Sequence, residues 1–559
     1  MAFDGIFTYA VARELNDKIA GGKIEKVYQP GPDALLIHIH TPEENRRLFI
    51  SCGSAAARIC FTEAKYENPA DAPAFCMLMR KHIQTGRITE VRQRGSDRIV
   101  EIDIEAQSEL GFTVSKRLIV EIMGKHSNIV LVNTDNGKII DSIKRISIDM
   151  NRYRQLLPGA QYKYPPAQDK IPFRDVKSGD ALRRDPKMLL ATIGGISPAI
   201  ARELAASPDP AAALEKIVRN VEAGIITPSV YSDEGELREF HVTDLSEYTA
   251  LERLTFDSPS ECAEYFFSHR EASNHLRQKA APLIKITRAA SDKARLKIQR
   301  LSEDLLRAEN SDKYRLYGEL LTANIHLIKP GESSVTLTSY YDGKPVEIAL
   351  DKKLSAAKNA QRYFKKYAKA KTAIKEKKIQ LEETRDDVKY LDSVMHSLEA
   401  ARSETELERI AEELSEGGYM RSKTVSRKSK KQKPSYLTYT LSDGSTVLVG
   451  RNNKENDFIT MKRASKTDIW FHTKDIPGSH VILLTGEWRS AADVPENILY
   501  EAASIAAYHS KASKSENVPV DFVPVRHVKK PNGAKPGMVI FTHNTTIYVK
   551  PGLPKGAES

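Results

Sequence analysis

The sequence predicts a multidomain α+β protein: an α/β N-terminal domain, a helix-hairpin-helix region, a long antiparallel coiled coil and an α/β C-terminal domain. Three observations carry the prediction. From about Ala272 to Glu412, apolar residues recur at Ile298, Leu301 and Leu305, then at Ile374, Leu381, Val388, Leu391, Met395 and Leu398, at helical and heptad spacings. Before that stretch, apolar runs alternate with turns such as Thr134-Asp-Asn-Gly137. After it, short β-like runs surround one apolar helix from Pro495 to Ser510.

In the coil, Lys, Arg, Glu and Asp fill the positions between the apolar ones, as in Lys293 to Arg300 and Lys375 to Glu383. Each arm is therefore solvated over most of its circumference. About 50 residues per arm at roughly 1.5 Å each give a rod on the order of 75 Å, long enough to hold two globular ends apart. A dimerisation coil would show the same pattern. Pro330-Gly331 and the two β-like runs from Ser334 to Leu350 break the helix near its midpoint, which favours a chain that goes out, turns and returns on itself.

The chain has 559 residues, enough for three or four domains. Its 85 Lys and Arg against 74 Asp and Glu leave a net charge of +11, which suits an anionic partner, most simply nucleic acid, although a generically basic protein has the same balance. Met1 to Gly5 lacks the basic and apolar regions of a signal peptide, and no apolar run of roughly 18 residues exists, so a cytoplasmic protein without a membrane partner is expected. Cys52, Cys60, Cys76 and Cys262 show no Cys-x-x-Cys spacing and read as reduced structural residues. No metal or cofactor is expected.

In chain order, Ile6, Phe7, Ala10, Val11, Leu15 and Ile19 mark a helix stopped by Gly21-Gly22. Strands follow at Lys23–Gln29, Ala34–His40, Arg47–Ser51 and Arg58–Phe61, then a helix after Pro73 with Phe75, Leu78, Met79 and Ile83 inward. From Arg87 to Ser142 the chain reads as an antiparallel meander. One of its turns, Gly95-Ser-Asp-Arg98, offers a carboxylate beside a guanidinium that can grip phosphate or a base edge, or can simply close the turn as an ion pair. A second connection, Glu121 to Asn128, holds a small polar constellation. Met188 to Leu204 resembles a helix-hairpin-helix, which points backbone N–H groups at a phosphate; Ser197 stands where the second hairpin glycine usually does, and a purely architectural hairpin fits as well.

Beyond the coil, Arg421 to Lys433 carries seven basic and no acidic residues, a tether able to lie on RNA or simply a solubilising linker. A hairpin then crosses Asp443-Gly444. In Gly450 to Asp457 and Asp468 to His480, Trp470 and Phe471 can stack on bases, and Arg451, Lys454, Lys474 and His480 can reach phosphates. The loop Arg526 to Lys535 adds further cations. No P-loop, Gly-x-Gly-x-x-Gly or His-Glu-x-x-His occurs, and no sequence pattern announces a nucleophile. A binding and positioning protein, not a conventional enzyme, is the expectation.

Taken in order, Asp4-Gly5, Phe75 to His82, Asp97-Arg98, Glu121 to Asn128, Asp141 to Lys144, the coils and Asp468 to His480 resemble the NFACT family over essentially the whole chain. The resemblance implies an NFACT-N domain over 1–173, a helix-hairpin-helix region and connector over 174–271, a coiled-coil middle domain ending in the basic linker over 272–434, and an NFACT-R RNA-binding domain over 435–559. It implies a ribosome-associated quality control role. Such proteins bind large (50S) subunits obstructed by a peptidyl-tRNA nascent chain, recruit alanyl-tRNA and support alanine tailing without mRNA. Contacts would then be to 23S rRNA and tRNA. By the same resemblance, Asp97 and Arg98 recruit tRNA, Glu121, Ile122 and Met123 lie near its anticodon loop, and Asp468, Trp470 and His472 match the NFACT-R signature, beside the RNA contacts read from residue type at Arg451, Lys474 and His480. Two rival classes are a fibronectin-binding surface adhesin and a DNA-repair lyase of formamidopyrimidine-glycosylase layout. The first lacks any signal peptide or extracellular repeat, and the second lacks its proline after Met1 (Ala2-Phe3 here) and its four-cysteine zinc finger.

Overall fold

The Asp4 carboxylate accepts a hydrogen bond from the N–H of Phe7 at 2.9 Å and so caps the first helix, α1 (Gly5–Ile19), whose Ile6, Phe7, Ala10, Val11, Leu15 and Ile19 are all buried. The structure, a computed structural model, describes residues 3–107, 111–233, 235–420, 436–486, 488 and 493–554. The basic tether Arg421 to Lys433 lies outside the described residues. The chain divides into two compact units, Met1–Asn274 and His275–Ser559.

In the first unit, β1 (Lys23–Gly31), β2 (Ala34–His40), β3 (Asn45–Ser51), β4 (Arg58–Phe61), β5 (Arg87–Gln93), β6 (Ile99–Gln107), β7 (Thr113–Glu121), β8 (Asn128–Asn133) and β9 (Ile139–Ser142) form one antiparallel sheet in the order β4-β3-β2-β1-β5-β6-β7-β8-β9. The two strand groups read separately in the sequence are thus a single sheet, joined where Lys23 pairs with Arg87. Helix α2 (Ala74–Ile83) buries Phe75, Met79 and Ile83 in the core that it shares with α1.

That core continues into the hairpin region. There β10 (Ile171–Pro172) pairs in parallel with β11 (Ile193–Gly194), flanked by α3 (Pro186–Thr192), α4 (Pro198–Ala206) and α5 (Pro210–Ala223). A small sheet of β12 (Ser229–Asp233), β13 (Glu236–His241) and β14 (Glu252–Thr255) follows in the order β13-β12-β14. Helix α6 (Pro259–Glu309) begins on this unit. Buried Arg58 on β4 clamps that beginning, 3.0 Å from Glu271 and 3.6 Å from Glu264, with its guanidinium 5.3 Å from the Phe267 ring. Burial opposes the Arg58 charge, but Glu271 and Glu264 more than restore it, and its pKa is raised.

In the second unit the coil leaves along α6, continues in α7 (Asp312–Ala323), turns through the hairpin β15 (Ser334–Thr338) and β16 (Pro345–Ala349), and returns along α8 (Ala356–Ala400). Ile298, Leu301 and Leu305 meet Ile374 and Leu381, as the periodicity predicts. The return arm stops earlier than the predicted Glu412. Ser403 caps a separate helix, α9 (Glu404–Glu416), which packs Leu407, Ile410 and Leu414 back on Tyr390, Leu391, Val394 and Leu398. The extra layer explains why Tyr390 and Val394 are buried while Val388 and Met395 of the predicted seam are only half-buried.

The C-terminal domain is a six-stranded sheet of β17 (Leu437–Thr440), β18 (Thr446–Val449), β19 (Ile469–Thr473), β20 (Val481–Leu483), β21 (Val518–Pro524) and β24 (Thr545–Val549). Its order is β17-β18-β20-β19-β21-β24. The short helix α10 (Asn453–Phe458) follows β18, α11 (Glu496–Tyr508) precedes β21, and β22 (Val528–Lys529) pairs with β23 (Ile540–Phe541) as a separate ribbon. Helix α11 covers one sheet face over Phe471, and a second apolar layer containing Trp470, Phe541 and Val528 covers the other.

Candidate nucleic-acid interface

Three backbone segments far apart in sequence converge around the turn Gly95 to Arg98. The Gly5 N–H donates to the Gly195 carbonyl at 2.7 Å, and the Gln93 side-chain amide donates to the carbonyls of Gly5 and Asp97, each at 2.8 Å. A Cβ on Gly5 would lie 2.5 Å from the Ser96 carbonyl oxygen and 2.6 Å from that of Gly195, so only glycine lets the helix start, the turn and the hairpin touch. Gly195, at φ +89°, has the same constraint: its Cβ would lie 2.5 Å from the Ser96 oxygen. Arg174 adds a hydrogen bond to the Gly95 carbonyl. The result is a braced turn with the Asp97 side chain exposed and Arg98 half-buried beside it. Partial burial holds the Asp97 carboxyl above its usual range against the pull of Arg94 and Arg98. Burial likewise lowers the Arg98 pKa, against the charges of Asp4 and Asp97.

Asp4, absent from the predicted site, holds this junction. Besides capping α1, its carboxylate accepts the Ser197 N–H at 2.9 Å and lies 3.3 Å from His241 Nε2. Burial alone would raise its pKa; the adjacent His241 and the donated N–H groups reverse that and hold it below the usual range. The hairpin N–H that could have met a phosphate is therefore occupied by the protein's own carboxylate, and the hairpin is architectural at that position. The Asp4-Gly5 pair was visible in the sequence, but its partner at position 241 was not.

Glu121, Ile122 and Met123 sit beside the turn, and two of the three are not surface residues. Glu121 is fully buried in a two-pronged ion pair with Arg154, with Nη1 to Oε1 at 2.6 Å and Nη2 to Oε2 at 2.5 Å, and it also accepts from the Tyr162 hydroxyl at 2.7 Å. Ile122 is fully buried as well, and its N–H donates to the Arg98 carbonyl at 2.8 Å. The expected place of these two near the anticodon loop of tRNA is therefore not one of side-chain contact: both lie buried under the turn, because a carboxylate buried here is stable only when paired. Met123 is half-exposed.

The C-terminal residues require a larger correction. Trp470 is 1% exposed and Phe471 is buried beneath α11, because β19 is a central strand paired to β20 and β21 and covered on both faces. The Trp470 indole lies 5.7 Å from the His472 ring and nearly parallel to it, 5.3 Å edge-on from His480 and 4.8 Å from Phe541. No base can stack on it. Asp468 is buried and accepts from the N–H groups of Ser465 at 2.7 Å and Thr485 at 3.0 Å, fixing the strand entry. His480 is buried and shares a hydrogen bond with the Thr460 hydroxyl at 2.9 Å. Burial and the neighbouring His472 push its pKa down to about 3. His472 is half-buried with its pKa also lowered, chiefly by burial. Lys474 alone of this set is fully on the surface.

Arg451 and Lys454 serve a joint within the second unit. Arg451 lies 2.6 Å from Glu406 of α9 and 3.5 Å from Glu455, while Arg409 of α9 pairs with Glu455 and Lys454 with Glu416 at 2.9 Å. Asn453 donates to Glu413 of α9 and Ser393 of α8, each at 3.0 Å. This network, spread over three elements, fastens the C-terminal sheet domain to the base of the coil. Among the described residues, no group of three or more His, Cys, Asp or Glu could hold a metal ion, and no helix is long and apolar enough to cross a membrane.

The first unit thus carries a braced polar turn on a nine-stranded sheet, and the second a helical hairpin coil and a six-stranded sheet domain. Residues 4–433 match the NFACT N-terminal and middle domains, and residues 435–543 match the NFACT protein RNA binding domain. The chain belongs to the NFACT family. Over 99% of its length it is 38% identical to the Rqc2 homolog RqcH of Bacillus subtilis, covering 98% of that protein. It is 36% identical to the Rqc2 homolog RqcH of Streptococcus suis over 99% of this chain and 98% of that one. Among solved structures, the N-terminal part of the fibronectin/fibrinogen-binding protein from Streptococcus suis is 30% identical, with a TM-score of 0.42, over 48% of this chain and 99% of that one.

Proposed function

We propose that this chain is a ribosome-associated quality control factor. It binds large (50S) subunits that remain obstructed by peptidyl-tRNA, recruits alanyl-tRNA and supports mRNA-independent alanine tailing of the stalled chain. The observation that carries the reading is end-to-end similarity, 38% identity over 99% of the chain, to a protein named as an Rqc2 homolog. The braced turn supports it. Asp97 and Arg98 are presented at a fixed place by Gly5, Gln93 and Gly195, which is what a tRNA-gripping element needs. Peptide-bond formation belongs to the ribosome, and the chain contributes placement of the tRNA. The test is affinity purification of the tagged chain from cells. The wild type should bring down free large subunits and a tRNA pool enriched in tRNA-Ala, and Asp97→Ala with Arg98→Ala should lose the tRNA while keeping the subunits. A wild-type chain that brings down neither sinks the reading.

A further inference from the structure

The C-terminal sheet has two ends of different character. At one end, β19 starts opposite the end of β21 (Ile469 against Pro524) and β24 starts opposite Phe522. The β17-β18 turn with Asp443 and the chain leaving β20 after Leu483 lie at the same end on the β18-β20 side, while on the β19-β21-β24 side the connections are residues 459–468 and 525–544. They are held together by backbone hydrogen bonds: the Arg526 N–H to the Lys466 carbonyl at 3.2 Å, the Val525 N–H to the Asp468 carbonyl at 2.8 Å and the Thr542 N–H to the His527 carbonyl at 3.3 Å. Residues 459–467 and 525–545 contain no Asp or Glu. Asp468, the nearest carboxylate in sequence, is buried and spends both oxygens on Ser465 and Thr485.

The cations here also separate into two groups. Lys530 and Lys535 face the unit's own acids, Asp457 and Asp387. Lys462, Arg463, Lys466, Arg526 and Lys529 are exposed and enter no ion pair among the described residues. Between them, the rings of His527 and His543 lie 4.9 Å apart, and exposed Thr542 and Asn544 add hydrogen-bonding groups. Ala464, Val525, Val528 and Phe541, which carry these loops, pack in one layer with Trp470. At the opposite end of the sheet, near Val518, lie Lys474 and Lys511.

We propose that the loops at the Pro524 end, bearing Lys462, Arg463, Lys466, Arg526 and Lys529 around His527 and His543, form a face that binds the phosphate backbone of RNA, with Trp470 as its buried floor. The inference rests on the quality control reading only for the identity of the RNA, not for the face. Cations that face no carboxylate among the described residues, with the Arg526 Nε bonded only to the neighbouring His527 ring at 3.1 Å, gain from releasing phosphate counterions, whereas the paired Lys530 and Lys535 would first have to break their contacts. Hydroxyl, amide and imidazole groups interleaved with the cations suit a ribose-phosphate chain, which offers acceptors at every unit.

The test uses the full chain carrying Asp97→Ala and Arg98→Ala, so that the N-terminal turn contributes nothing, and a fluorescein-labelled oligouridylate titrated at several salt concentrations. Lys466→Glu with Arg526→Glu should weaken binding at least about tenfold and reduce the slope of log affinity against log salt by roughly 1.4, the release expected from two phosphate contacts on a single strand. Lys474→Glu with Lys511→Glu, at the other end, should change affinity less than about twofold. If reversal disturbs folding, Lys466→Gln with Arg526→Gln replaces it, with about half the effect. Equal losses from the two ends, no loss at the Pro524 end, or displacement by polyglutamate as effective as by unlabelled RNA overturns the proposal. Salt-sensitive RNA binding that depends on Lys466 and Arg526, in a chain that fails to bring down large subunits from cells, would sink the quality control reading and leave the face standing.

Discussion

The Ile122 N–H donates to the Arg98 carbonyl at 2.8 Å, tying the end of β7 to the turn that presents Asp97. Ile122 is fully buried and Asp97 exposed, so the two positions should fail in different ways. Ile122→Ala should cost about 2–5 kcal/mol through the cavity it leaves, and reduce tRNA capture only as far as it unfolds the domain. Asp97→Ala with Arg98→Ala should cost about 1 kcal/mol or less and abolish capture. Urea unfolding and tRNA recovery, measured on the same preparations, separate the two.

Glu121 and Arg154 should behave as a buried pair. Glu121→Gln leaves the Arg154 guanidinium, 6% exposed, without its counter-charge, and should destabilise the first unit by about 3–5 kcal/mol. Glu121→Met combined with Arg154→Met removes both charges and should recover much of that loss. A double-mutant cycle in urea checks it: additive losses would mean that the pair is not coupled.

Trp470 should prove structural. Its indole N–H has no hydrogen-bond partner among the described residues, so Trp470→Phe forfeits packing alone and should cost about 1–3 kcal/mol, whereas Trp470→Ala should cost about 3–5 kcal/mol. RNA affinity of the folded Trp470→Phe chain should stay within about twofold of wild type. A loss of affinity without a loss of stability would return Trp470 to the binding surface.

These corrections show what one sequence discloses. Period-two and heptad patterns placed the strands and both coil arms because burial of one face imposes those periods. The run Ile469-Trp-Phe was equally telling: three consecutive apolar residues are the mark of a strand covered on both faces, and β19 is one. Its flanking histidines and lysine drew attention to chemistry instead. Arg451 read as a phosphate ligand because its partner Glu406 lies on α9, which merges with the coil in the sequence; no local pattern shows a pair that forms only when distant elements meet. The Asp97-Arg98 turn was legible as a turn, but its bracing by Gly5 and Gly195 depends on close backbone approach, which residue type merely permits.

Buried histidines should make the second unit acid-sensitive. Burial, with His396 and Arg402 nearby, pushes His509 down to about 4, and burial with the neighbouring His472 pushes His480 to about 3. Both are neutral in the folded unit and take up a proton on unfolding below about pH 6.5, so the unfolded state binds more protons and stability falls as pH drops. Each should contribute a slope of about 1.4 kcal/mol per pH unit from about pH 6 down toward its own folded pKa. His509→Gln, whose amide can still hydrogen-bond the Tyr439 hydroxyl that lies 3.0 Å from His509 Nε2, should flatten the slope by one proton. Thermal unfolding between pH 6.5 and 4.5 tests this, and an unchanged slope in the variant would show that His509 is already protonated in the fold.

The coil offers a test of distance. Residues 298–304 of α6 and 374–380 of α8 are matched heptads: removing both puts Leu305 in the register of Ile298 and Leu381 in that of Ile374. The ion pair between Asp304 and Lys377 leaves with them, so neither charge is stranded. The coil then becomes shorter by about 10 Å with its seam intact. Its unfolding should remain cooperative, with helix content reduced only by the residues removed. If the reach of the coil tip sets where the factor rests on the large subunit, alanine tailing in cells should fall sharply, while RNA affinity at the Lys466 and Arg526 face is unchanged. Removing one heptad from α6 alone would instead slip the seam by two turns and unfold the hairpin, which separates loss of reach from loss of structure. Tailing at wild-type level in the matched deletion would mean that the coil is a connector of no fixed length.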